Sequence, residues 1–127
     1  ANLKMVIKSL NSGKFMKFLH IPVQAGSDKV LKEMGRDYTV NEFREIVDKV
    51  RKEVDNVSIA TDIIVGYPTE TEKDFLDTVK LLEEIKPEVV NLSKYSKMPG
   101  TVAGEMKQLT SQEIKKRSVI LHKLRKK

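Results

Sequence analysis

Three short runs rich in apolar and β-branched residues, Phe15 to Ile21, Val57 to Val65 and Val89 to Tyr95, are separated by stretches whose apolar residues recur at helical spacing. This alternation constrains the fold more than any other feature. Strands separated by helices are joined by right-handed crossovers and pair in parallel. Leu3, Val6, Ile7 and Leu10 form the apolar face of a first helix, with Gly13 as its expected stop. Ser27 is placed to cap a short helix running through Met34 to Gly35. Thr39 with Glu42, Thr71 with Asp74 and Thr110 with Glu113 have capping-box spacing. The faces that follow them are Phe43, Ile46, Val47, Val50 and Val54; then Phe75, Val79, Leu82 and Ile85; then Ile114, Ile120, Leu121 and Leu124. Pro87 ends the helix before the last strand.

The expected class is therefore α/β, with the order helix, strand, two helices, strand, helix, strand, loop and helix. The middle run, VSIATDIIV, reads as a strand buried on both faces. Three strands are few for a self-contained doubly wound sheet. A slice of a partial (β/α) barrel, three parallel βα units with the other strands elsewhere in a longer protein, fits better. Ala1 is not a start methionine and the first helix lacks a clear cap, so residues 1–127 read as a single piece of a longer domain. The unpaired strand edge left by such a cut invites pairing with a second copy of the chain, a homodimer.

Composition narrows the chemistry. The 127 residues are 39% hydrophobic and 33% charged, enough for one packed core. No apolar run reaches the length of a membrane span, and the N-terminus does not read as a signal peptide. There is no cysteine, which excludes disulfides, thiolate-bound zinc and a conventionally ligated iron–sulfur cluster within the chain; a cytoplasmic setting is the expectation. Charge is uneven: residues 1–20 hold four lysines and no acid, and residues 106–127 hold eight basic residues against Glu113. A basic C-terminal helix, Lys115 to Lys127, could bind RNA phosphates or simply be a solvated face.

Glycine, proline and polar residues gather just after each strand: His20 to Ser27, Gly66 to Thr71, and Tyr95 to Thr101. In parallel α/β folds these loops share one face, and ligands bind there. Asp62 lies in an otherwise apolar run, where a carboxylate is costly unless paired; it either ties loops together or meets a ligand. Asp62, Ile64 and Gly66 fall on one side of the strand, and Gly66 permits close approach of a flat ligand. Gln24, Gly26 and Ser27 precede a helix, where an anion or a ribose hydroxyl could sit, or where Ser27 is an ordinary cap. Arg36 could clamp a carboxylate or be solvated. His20 could be a base, a ligand or structural. No P-loop, GxGxxG, catalytic triad or metal-spaced histidine pair occurs.

Taken together, HIPVQAGSDKVLKEMGRDYT, TDIIVGYPTETEKDF and YSKMPGT resemble, in order and spacing, the later barrel segments of the radical S-adenosylmethionine (SAM) methylthiotransferases. The resemblance runs from about Phe18 to Arg117 and is nearest to the archaeal and eukaryotic-type branch, which forms 2-methylthio-N6-threonylcarbamoyladenosine beside the tRNA anticodon. The branches acting on isopentenyladenosine and on a ribosomal protein share the core. The run HIPVQAGS followed by YSKMPGT separates it from coproporphyrinogen-oxidase-like and cobalamin-binding radical enzymes.

The resemblance implies a six-stranded incomplete barrel of which this chain supplies the last three strands. It implies a [4Fe–4S] cluster on a CxxxCxxC loop that binds and reductively cleaves SAM, an N-terminal domain with a second cluster, and a C-terminal β domain that helps hold tRNA. None of those parts is in the chain, so the isolated piece is expected to be inactive, with no catalytic or metal-ligating residue of its own. Gln24 and Ser27 match positions facing the cosubstrate's ribose and methionyl part, and Arg36 matches the arginine suited to its carboxylate. Asp62, Ile64, Gly66 and Glu70 match the element near its adenine; Tyr95 and Ser96 match the end of the last strand. Two departures stand out: Thr69 replaces the usual glycine of the loop, and Met98 replaces a common arginine before Pro-Gly-Thr.

Overall fold

The computed structural model describes residues 3–12, 17–96 and 106–125. Its elements are α1 (Leu3–Ser12), β1 (Phe18–His20), α2 (Asp28–Glu33), α3 (Val40–Glu53), β2 (Ser58–Val65), α4 (Glu72–Ile85), β3 (Val89–Lys94) and α5 (Ser111–Arg125). This is the expected order. The strands form one sheet in the order β1-β2-β3, both pairs parallel, with Phe18 opposite Ser58 and Ala60 opposite Val89. β1 is shorter than the run that suggested it. The ladder still reaches from the Lys17 carbonyl, which accepts from Ser58 N–H, to Ile21, which donates to the Ala60 carbonyl, and Pro22 follows with no donor. Gly13, Phe15 and Met16, like Met98, lie outside the described residues.

The two faces of the sheet differ, which corrects the expectation that β2 is dry on both sides. Ile59, Thr61, Ile63 and Val65 are buried, and the apolar three of them join Val90 and helix residues Val30, Val47, Val50, Leu81 and Leu121 in the core. The other face carries Phe18, His20, Asp62, Ile64, Val89, Asn91 and Ser93, all partly or well exposed, with Ala60 the buried exception. Among the described residues, helices pack on one face alone, as they do around a barrel wall. Removing the apolar surface of each core side chain from water contributes about 1.5–3 kcal/mol.

The helix ends show how local sequence sets the frame. α2 closes in a Schellman motif: Arg36 N–H donates to the Leu31 carbonyl and Gly35 N–H to the Lys32 carbonyl, with Gly35 at φ +80°. Of the three expected capping boxes, the one at Thr71 is complete, with Thr71 N–H also donating to Asp74. At Thr39 and Thr110 the hydroxyl accepts from Glu42 and Glu113 N–H, but the glutamates do not return the bond. The Glu42 carboxylate accepts from the Thr39 hydroxyl itself, and that of Glu113 turns to Arg117. α4 ends at Lys86, which is left-handed at φ 49° before Pro87, and Arg51 donates to the terminal carbonyls of Ile85 and Lys86. On α5 the buried stripe passes through Arg117, Ser118 and Leu121, so Ile120, expected on the core face, is 39% exposed.

Candidate functional site

The C-terminal ends of the strands meet on one edge, and the backbone ties Gln24 and Tyr95 to β2 there; residues 97–101 of the third expected loop lie outside the described residues. Beyond β1 the chain turns at Gln24, whose left-handed backbone (φ 72°) lets it rejoin the ladder beside β2. Gln24 N–H donates to the Asp62 carbonyl at 2.7 Å, and Ile64 N–H donates to the Gln24 carbonyl at 2.9 Å. On the far side Tyr95 N–H donates to the Val65 carbonyl at 2.8 Å. The backbone thus brings Gln24, Asp62, Ile64 and Tyr95 to one end of the sheet. Tyr95 meets Tyr67 edge to face, ring centroids 5.4 Å apart, and the Tyr67 hydroxyl donates to the Glu33 carbonyl at the end of α2.

Gln24 Oε1, Tyr95 Oη and Thr69 Oγ1 are buried without a hydrogen-bond partner. A buried polar atom left unpaired costs about 1–3 kcal/mol. Arg36 is exposed just past α2, close enough that its charge pulls against the burial that raises the Tyr38 phenol. Tyr38 in turn donates to the Val23 carbonyl, next to Gln24. Ser96 is exposed at the end of the described segment.

Asp62 sits on the open face. His20 Nε2 lies 3.0 Å from its Oδ1, and Asn91 Nδ2 donates to the same oxygen at 3.1 Å. Partial burial alone would raise its carboxyl; the bonds from His20 and Asn91 outweigh that and hold it below the ordinary value.

Two expected ligand residues turn inward. The Glu70 side chain is 2% exposed and pairs with Arg117 Nη1 at 2.8 Å, while accepting from Gly66 N–H at 3.1 Å. Arg117 also donates to the Glu70 carbonyl and to Glu113, and its guanidinium lies 5.7 Å from the Phe75 ring centroid. Burial pushes the Glu70 carboxyl up, against the pull of Arg117 and Gly66 N–H. Glu70 therefore acts within the protein, fixing the loop after β2 to α5. Gly66 needs its glycine twice over: φ is +87°, and a Cβ would come 2.6 Å from Ile114 Cγ1.

Ser27 is buried; its hydroxyl caps α2 by accepting from Val30 N–H and donates to Asp74 Oδ1 at 2.9 Å. Lys29 Nζ lies 2.8 Å from Asp74 Oδ2. Burial alone would raise Asp74, but Lys29, Thr71 and Ser27 together bring it down to about 2 from 3.8. A carboxyl depressed by folding adds stability above its unfolded pKa and loses it as pH falls through the folded one. Asp74 is expected to contribute about 2 kcal/mol that is present at neutral pH and disappears between roughly pH 4 and pH 2. Urea unfolding across this range checks it: the curve of Asp74→Asn should be flatter there than that of the unsubstituted chain.

The sequence reading missed Arg117, Asn91, Tyr67 and the hub role of Asp74. Asn91 could have been found from alternation along β3; the others depend on contacts between distant segments. Lys115, Lys116 and Lys123 remain exposed on α5, so the basic helix keeps a charged outer side. No group of three or more His, Cys, Asp or Glu among the described residues could hold a metal, and the chain has no thiolate to offer a cluster. No described helix is long and apolar enough to cross a membrane.

Comparison with known proteins agrees with this geometry. The family model of the radical SAM superfamily matches residues 3–82. The "Probable threonylcarbamoyladenosine tRNA methylthiotransferase" of Methanothermobacter thermautotrophicus is 47% identical over 124 residues, covering 98% of this chain and 29% of that protein. The threonylcarbamoyladenosine tRNA methylthiotransferase of Homo sapiens is 44% identical over 117 residues, 92% of this chain and 20% of its own. The tRNA-2-methylthio-N(6)-dimethylallyladenosine synthase of Dictyoglomus thermophilum is 52% identical over 98 residues, 77% of this chain and 22% of that protein. The chain thus spans under a third of the length of these relatives. Coproporphyrinogen III oxidase from Escherichia coli, a radical SAM enzyme of known structure, superposes with a TM-score of 0.75 at 20% identity, over 98% of this chain and 30% of its own, which establishes a shared fold. A parallel sheet clothed on one face, strand ends gathered at a polar edge, and a family model that covers most of the chain lead to one conclusion: the chain belongs to the radical SAM superfamily.

Proposed function

We propose that this chain is the later part of the barrel of a tRNA methylthiotransferase that adds a methylthio group to N6-threonylcarbamoyladenosine next to the anticodon, and that it supplies part of the SAM site. The observation carrying this reading is the pair of buried, unpartnered oxygens, Gln24 Oε1 and Tyr95 Oη, on residues whose backbones are bonded to the C-terminal half of β2. Hydroxyl and amine donors of an adenosyl group fit such acceptors. Ile64 offers that group a partly exposed apolar side chain, Gly66, buried against Ile114, supports the turn behind it, and Arg36 is available to a carboxylate. The cosubstrate, when bound, supplies the radical chemistry; Gln24, Asp62 and Tyr95 bind and orient it. Ser27 and Glu70 support the site from behind, through α2 and through the loop after β2.

The threonylcarbamoyl substrate is favoured over the dimethylallyl one because relatives named for it align over nearly the whole chain, 98% against 77%. The residues present do not fit the cluster: without cysteine they give it no ligand, and the isolated chain is expected to bind adenosyl compounds weakly. In the parent, the open edge of β1 would seat the preceding barrel strand; in the isolated chain it would accept a second copy. tRNA would be the parent's partner, in the cytoplasm.

A chimera tests the assignment. This chain replaces the matching stretch of the Methanothermobacter thermautotrophicus relative, and nucleoside mass spectrometry reads the tRNA. The expected product is methylthiolated threonylcarbamoyladenosine. A folded chimera with both clusters loaded that leaves this nucleoside unmodified would refute the proposal.

A further inference from the structure

The open face of the sheet carries one polar row that crosses all three strands: His20 on β1, Asp62 on β2 and Asn91 on β3. Both neighbours reach the same oxygen, Oδ1, at 3.0 and 3.1 Å. Stability does not account for the arrangement. The His20 and Asp62 side chains are 44% and 34% exposed, and ion pairs so open to water add little to folding. A carboxylate gripped from two sides on one oxygen has its rotamer fixed, and its second oxygen keeps free acceptor capacity. The same residue's carbonyl is bonded by Gln24 N–H, so the row lies beside the turn that carries Gln24.

We infer that His20 and Asn91 are positioning residues that hold the Asp62 carboxylate so that Oδ2 accepts a hydrogen bond from the bound adenosyl group, an inference that rests on the cosubstrate reading above. Neither residue need touch the ligand. The row ties one orientation of Asp62 to the register of three strands, and the fold sets that register. Precise support of a binding group by its neighbours is the usual way a site keeps its geometry.

The test uses the isotope-labelled 127-residue chain and S-adenosylhomocysteine, which carries the same adenosine and cannot react. Two readouts are taken by NMR: the χ1 couplings of Asp62 without ligand, and the apparent Kd from shifts at Gln24, Asp62 and Ile64. The expected results are a single Asp62 rotamer in the unsubstituted chain and averaged couplings in His20→Phe and Asn91→Leu. Binding should weaken about fivefold in each variant. His20→Gln, whose amide can donate from the place of Nε2, should stay within about twofold of the unsubstituted chain. A merely structural role for His20 would not give this rescue, and amide spectra check that each variant remains folded.

If the unsubstituted chain binds while His20→Phe and Asn91→Leu keep one Asp62 rotamer and the same Kd, the inference is overturned and the cosubstrate reading survives. If the unsubstituted chain shows no ligand-induced shifts at millimolar S-adenosylhomocysteine, the cosubstrate reading is overturned, and this inference falls with it.

Discussion

Replacing Arg117 by methionine is expected to cost the chain about 3–5 kcal/mol, the penalty for stranding one partner of a buried ion pair. Arg117 and Glu70 are 6% and 2% exposed at the side chain, and they join α5 to the loop after β2. Without the guanidinium, the Glu70 carboxylate would keep Gly66 N–H as its one remaining donor among the described residues. Its pKa, already raised by burial, would rise further. A carboxyl raised by folding weakens the folded state where it must ionise and ceases to do so as pH falls through its folded pKa. Arg117→Met should therefore recover part of its loss on mild acidification, before the separate loss at Asp74 sets in. The double variant Glu70→Gln with Arg117→Met keeps an acceptor for Gly66 and removes both charges, and it should regain most of the stability. Urea unfolding of the set, read as a thermodynamic cycle, gives the coupling. An Arg117→Met chain within 1 kcal/mol of the original would mean that the pair is not buried in solution.

Gly26→Ala is the second large effect. A Cβ at Gly26 would lie 2.4 Å from Thr78 Cα and 2.7 Å from both Asp77 O and Thr78 N. All three are backbone atoms of α4, so no side chain can swing aside. Either the loop or the helix must move, and the Gly26 N–H bond to Thr78 Oγ1, 2.8 Å long, goes with it. The expected loss is about 3 kcal/mol, the upper part of the usual range for overpacking. The damage reaches the candidate site because Gly26 is two residues from Gln24. Folded Gly26→Ala chains are expected to show displaced amide signals at Gln24, Asp62 and Ile64, and to bind S-adenosylhomocysteine at least about fivefold more weakly. Unchanged stability and unchanged signals would mean that the loop does not pack on α4 as described.

The order of elements was legible because period and punctuation agree. Phe43, Val47 and Val50 mark one face of α3, Thr39 opens it, and the β-branched run Ser58 to Val65 cannot sustain that spacing. What the run did not reveal is which face of β2 would be dry. Ala60 and Ile64 are apolar like Ile59 and Ile63, and of the adjacent polar residues Thr61 is buried while Asp62 faces water. The outcome depends on helices that cover one side, a tertiary fact. The capping boxes illustrate the same limit. Thr39 and Glu42 have the better letters, yet the complete box forms at Thr71 and Asp74, where Ser27 and Lys29 hold the aspartate in place. In the site, Gln24, Asp62 and Tyr95 could be located by counting to the ends of strands. The inward turn of Glu70 could not, because its partner lies 47 residues away on a helix whose charged residues are mostly basic. A buried arginine among Lys115, Lys116 and Lys123 has no local signature.

The backbone at Gln24 bears on how this edge would meet a small molecule. A residue with a Cβ pays a conformational penalty for the left-handed region, and here two ladder bonds to Asp62 and Ile64 keep it there. The glutamine amide therefore projects from an anchored platform rather than a roaming loop. Immobilising a side chain at an interface ordinarily subtracts about 0.5–1.5 kcal/mol from affinity. In this protein folding has already ordered the backbone that carries Gln24, so a ligand bound as proposed would not have to order that loop.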